Sequence, residues 1–135
     1  MLQFYFLSIT ANVLSGLTLA GDAIGRRMPG FAELNARLSG RRGKLIVGLA
    51  SLLVGFCTLF VPAEPPLILG DLLPSAVGMV MGIALLFEVF RDMATLPAEQ
   101  SERSERVPVG YRTTLGIIGL VTAGVHFFLP DRIIL

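Results

Sequence analysis

The sequence predicts an all-α integral membrane protein, a four-helix transmembrane bundle. Three observations carry that prediction. Hydrophobic residues make up 53% and charged residues 16% of the 135-residue chain, with a mean hydropathy of +0.74; a soluble domain has about 25% charged residues. Charges are almost absent from four long stretches and crowd into the gaps between them. The stretches are continuously apolar, without the alternation of a barrel strand, and only helices or closed barrels satisfy every backbone amide in hydrocarbon. A soluble globular domain, a disordered chain and a disulfide-stapled module are thereby excluded. The net charge of +1 gives no electrostatic signature for nucleic acid, and the lone Cys57 has no internal partner.

A helix rises about 1.5 Å per residue, so about 20 residues cross the hydrocarbon core. Residues 2–21 carry no charge and form the first span. No Lys or Arg precedes this run, and it leads into Gly21-Asp22 and then Arg26-Arg27, so it reads as a retained span and not a cleaved signal. Residues 45–61 are the second span, also uncharged. Residues 72–90 are the third, interrupted by Glu88, and 113–129 the fourth, with His126 as its one ionisable group.

The connections set the orientation. Residues 26–44 hold six basic side chains and residues 91–112 hold four, whereas the N-terminus, the 62–71 turn and the C-terminus together hold only Arg132. By the positive-inside rule this predicts a plasma-membrane protein with loops 22–44 and 91–112 cytoplasmic and both termini outside. Glu64-Pro65-Pro66 reads as a tight outer turn. Asp71 reads as a cap for a helix starting at Leu72, with Pro74 in its first turn. In the first loop Phe31, Leu34 and Leu38 share a helical face, opposite Arg37, Arg41, Arg42 and Lys44. This is either a basic amphipathic helix on anionic lipid or a solvated connector. The second loop carries a tandem Ser-Glu-Arg pair, residues 101–106, and reads as a mixed-charge linker.

The chain also reads as a hairpin written twice, residues 1–65 and 66–135. A shift of 68 carries Gly48 to Gly116, Leu52 to Leu120, Gly55 to Ala123, Phe60 to Phe128 and Pro62 to Pro130. A shift of 66 carries Gly16 to Gly82, Leu19 to Leu85 and Asp22 to Glu88. Both copies cross in the same direction, a parallel repeat. Small residues mark close helix approach: Gly78 and Gly82 form a GxxxG, and Gly48, Ser51 and Gly55 form a stripe like that of Gly116, Gly119 and Ala123. They predict seams within the bundle or, alternatively, between copies.

Asp22 and Glu88 are the sharpest candidates for chemistry. Each sits at a helix C-terminus, where a carboxylate opposes the macrodipole. Each has an arginine within one turn, Arg26 or Arg91, so same-helix pairing is the simpler reading. The sharper one is a symmetric ion or proton site, because ionisable groups inside a membrane are functional hypotheses by default. Asn12 joins them as a mid-span polar residue that either hydrogen-bonds between helices or lines a path. His126 lacks Cys, Asp or Glu at ligand spacing, so no metal or other cofactor is expected. No nucleophile triad, HExxH or phosphate loop occurs. The expected role is therefore non-catalytic: a scaffold or accessory subunit associating with a membrane-protein partner or a second copy. The alternative is an oligomeric channel or proton-coupled carrier using Asp22 and Glu88.

Overall fold

The computed structural model describes the backbone of residues 2–60, 68–94 and 108–128, and the side chains of 3–60, 72–94 and 110–128. These residues are almost wholly helical, with no strand among them. The helices are α1 (Leu2–Gly25), α2 (Ala32–Ser39, entered through a 3₁₀ turn at Pro29–Phe31), α3 (Arg41–Phe60), α4 (Ile68–Met93) and α5 (Pro108–Phe128). Three are long and apolar enough to cross a membrane: Gln3–Gly25 of α1, α3, and Leu72–Met93 of α4. The turn at 61–67 and the linker at 95–107 lie outside the described residues, as does the Asp71 side chain.

The helices outrun the apolar segments that predict them. α1 continues to Gly25, α3 starts at Arg41, and α4 starts at Ile68 and not at Leu72. Pro74 therefore falls inside α4 and not in its first turn. Hydropathy marks hydrocarbon depth, whereas backbone hydrogen bonding carries a helix on into the polar boundary.

The two most extensive packings join α3 to α4 and α1 to α5. α1 and α4 also pack on each other, while α3 and α5 do not touch among the described residues. The core is Leu19, Val47, Met81 and Leu85, with Leu38, Val77 and Leu115 against it. Large apolar side chains such as Ile46, Phe56, Ile83, Phe87, Val121 and Phe128 face outward. In water this surface would be a liability; in lipid it needs no partner.

The interior is unusually polar. Ser8, Asn12, Ser15, Thr18, Ser51, Thr58 and Ser75 are all buried. Three of the hydroxyls are satisfied within their own helix: Thr18 donates to Leu14 O at 2.7 Å, Thr58 to Val54 O at 2.8 Å, and Ser15 to Ala11 O. Such i−4 back-bonding lets a hydroxyl sit in an apolar helix without an orphaned donor. Ser15 also meets Ser51, and Thr58 meets Ser75 at 2.8 Å, joining α3 to α1 and to α4.

The α2 helix is docked and not simply laid on a surface. Asn35 seats its side chain over Gly21, where any Cβ would collide with it. Gly43 likewise lies under the Arg37 and Leu38 carbonyls. Of the predicted apolar face, Leu38 packs on the core, Phe31 is half-buried and Leu34 stays exposed. The face is thus split between the neighbouring helices and the surroundings.

Candidate functional site

The loop-bearing ends of the four long helices meet in a group of charged side chains. Glu88 of α4 is the centre, with its side chain 7% exposed. Its Oε1 lies 2.6 Å from Arg112 Nε of α5, and its Oε2 lies 3.0 Å from Lys44 Nζ of α3. Arg112 Nη1 also reaches Asp22 Oδ2 of α1 at 3.4 Å. Lys44 also reaches Asp92 Oδ2 at 3.6 Å, and Arg91 lies 4.0 Å from Asp92. Every long helix contributes at least one charge.

The helix termini explain the arrangement. α1 and α4 end where α3 and α5 begin, so carboxylates in last turns face bases in first turns. Asp22, Glu88, Lys44 and Arg112 each lie toward the unfavourable end of their own helix dipole, and the cross-helix partners offset that cost. Lys44 and Arg112 are themselves only 12% and 19% exposed. A buried carboxylate without such partners would be strongly destabilising.

The same-helix pairing expected from Arg26 and Arg91 is not what holds the two acids. Asp22 pairs with Arg112 and accepts from Asn35 Nδ2 at 3.2 Å, and Glu88 pairs with Lys44 and Arg112. An i+3 or i+4 arginine competes poorly once a base on a neighbouring helix reaches the same carboxylate deeper in the protein. Asp22 is 64% exposed and Glu88 buried, so the two are unequal in environment while sharing Arg112.

Asn12 stands apart from this group. It lies ten residues before Asp22, about 15 Å along the helix. It is 1% exposed and donates from Nδ2 to Pro74 O at 3.1 Å. Its Oδ1 has no hydrogen-bond donor and rests against Gly78, 3.0 Å from where a Cβ would be.

The glycines mark backbone contacts. A Cβ on Gly82 would be 2.8 Å from Gly48 O, and one on Gly16 would be 2.9 Å from Gly116 O. Gly55 lies on Met79 and the Ser75 carbonyl, and Gly119 on the Met81 side chain. At the opposite end Tyr5 Oη donates to the His126 carbonyl at 2.6 Å, and the two rings are 4.8 Å apart. Among the described residues no three His, Cys, Asp or Glu side chains converge as metal ligands.

Sequence reasoning singled out Asp22 and Glu88 but missed Lys44, Asp92 and Arg112. A signal was present: the shift of 68 that pairs Gly48 with Gly116 also carries Lys44 onto Arg112. Beside the groups, an open groove of about 390 Å³ lies between the end of α1 and α2, lined by Asp22, Gly25, Arg26, Ala32, Asn35 and Ala36.

No curated protein and no solved structure matches the chain. One family model, for a domain of unknown function, matches residues 1–126. That match covers nearly the whole chain, including the charged group and all of the helices but the last two residues of α5, and the protein therefore belongs to this family.

Proposed function

We propose that the chain is a four-helix transmembrane bundle of the plasma membrane and serves as a non-catalytic scaffold or accessory subunit of a membrane complex. α5 is the fourth span, loops 22–44 and 91–112 are cytoplasmic, and both termini are outside. The skew of ten basic residues to one supports that orientation. The observation that carries the function is Arg112 between Asp22 and Glu88. The carboxylates that would work a carrier are held by fixed cations from neighbouring helices, which ties the helix ends together. Rigid helices with an apolar outer surface suit a protein whose business is its neighbours.

The bundle is two tandem hairpins about a two-fold axis along the membrane normal. The contacts repeat under the shifts of 66 and 68. Gly16 meets Gly116 and Leu120, and Gly82 meets the equivalent Gly48 and Leu52. Gly116 meets Ala20, and Gly48 meets the equivalent Leu86. Asp22 pairs with Arg112, and Glu88 with the equivalent Lys44. Asn12 rests against its own equivalent, Gly78, as a contact near such an axis would. Such recurrence goes beyond the likeness of apolar helices.

The test has two measurements. Proteoliposomes carrying a pH dye should leak protons and potassium no faster than empty vesicles. Native electrophoresis of the source membrane should place the protein in an assembly larger than itself. Flux above empty vesicles that Glu88→Gln abolishes would establish the carrier reading instead. A lone monomer without flux would also overturn the scaffold reading.

A further inference from the structure

The two halves differ in charge at the ends of α1 and α4, where Gly25, Arg26 and Arg27 stand against Arg91, Asp92 and Met93. This argument rests on the two-fold reading above. Lys44 is held by two carboxylates of the second half, Glu88 at 3.0 Å and Asp92 at 3.6 Å. The equivalent base, Arg112, is held by Asp22 at 3.4 Å, the equivalent of Glu88, and by Glu88 itself at 2.6 Å. The equivalent of Asp92 is Arg26. Where one half places a carboxylate, the other places a guanidinium.

Arg26 is exposed and has no carboxylate partner among the described residues. It lines the 390 Å³ groove, whose other walls include Gly25, Ala32 and Ala36. These small side chains leave room beside the guanidinium. The groove is framed and not floppy: Asn35 is fixed by Ser39 Oγ at 2.8 Å and donates to Asp22 at 3.2 Å. Asp22, the one acid in the wall, is already answered by Arg112 and Asn35. Arg27 beside it is also exposed, with no carboxylate partner among the described residues, and the apolar Met28 and Leu34 are exposed as well. A site at the end of a span, with free arginines and exposed apolar side chains together, lies at headgroup depth.

We propose that this groove binds the headgroup of an anionic phospholipid of the inner leaflet, with its phosphodiester on Arg26. A phosphodiester carries one negative charge and answers the guanidinium of Arg26. Its glycerol lies along the Gly25, Ala32 and Ala36 wall. The acyl chains run out beside Met28.

The test is native mass spectrometry of the detergent-purified full chain with phosphatidylglycerol or phosphatidylcholine. The wild type should retain phosphatidylglycerol preferentially. Arg26→Gln should cut that preference about fivefold, the effect of one basic residue near an anionic surface. Arg26→Lys should keep most of it, and Asp92→Asn should leave it unchanged. Millimolar glycerol phosphate should not displace the lipid. Unchanged preference in Arg26→Gln, with melting as in the wild type, would overturn the site. Equal binding of free glycerol phosphate would overturn the lipid as its occupant. The two-fold is read separately, from disulfide formation in Cys57→Ser chains carrying Gly16→Cys with Gly116→Cys, or Gly48→Cys with Gly82→Cys. If only one pair closes, the two-fold fails whatever Arg26 does.

Discussion

Replacing Glu88 by Gln removes one charge and almost no volume, so its effect isolates the ionic contribution. In the wild type the carboxylate is 7% exposed and answers two cations, at 2.6 and 3.0 Å. After the change each cation keeps one acid, Arg112 with Asp22 at 3.4 Å and Lys44 with Asp92 at 3.6 Å. Breaking a buried pair outright costs about 3–5 kcal/mol. The surviving pairs place the expected loss near the lower end, about 3 kcal/mol. Asp22→Asn gives the contrast: with the side chain 64% exposed, an exposed pair is worth about 0–1 kcal/mol. The assay is unfolding of purified protein in mixed micelles by added dodecyl sulfate, followed by circular dichroism. Glu88→Gln combined with Lys44→Met should recover part of the loss, because a matched apolar replacement removes the uncompensated cation. The reasoning is refuted if Glu88→Gln and Asp22→Asn destabilise equally.

Gly82→Ala should cost about 1–3 kcal/mol, because its Cβ would press on the backbone of Gly48 and Leu52; Gly124→Ala, with nothing within 4 Å, should be neutral in the same titration. Asn12→Leu loses the bond to Pro74 O and crowds Gly78, and should lower stability by about 1–2 kcal/mol; a neutral result would remove Asn12 from the packing. Topology is read by labelling intact cells with an impermeant maleimide in a Cys57→Ser background. Gly40→Cys and Gln100→Cys should be protected and Glu64→Cys labelled, and outside labelling at position 40 would reverse the orientation.

Three long apolar helices were legible because hydropathy is a property of consecutive residues. Leu45 to Val61 announces a buried helix whatever surrounds it. The partners of Glu88 were not, because Arg91 lies three residues away in sequence whereas Lys44 and Arg112 are brought by other helices. Helix boundaries at Gly25, Arg41 and Ile68 lay in polar sequence, where hydropathy falls silent but hydrogen bonding continues. The docking of α2 depends on Gly21 and Gly43 meeting parts of α2. Nothing about a glycine in isolation says which element will use its missing side chain. The shift of 68 that sets Lys44 on Arg112 was a route in the sequence to the partners of Glu88.

Arg112 lies on α5, which is synthesised after α1 to α4, and that sets an order of events at the ribosome. When Glu88 leaves the exit tunnel its only available cation from a neighbouring helix is Lys44, and Asp22 has only the Asn35 amide. The residue that completes both follows 24 positions later, about one to five seconds at typical elongation rates. Until then the nascent chain presents two acids awaiting one base.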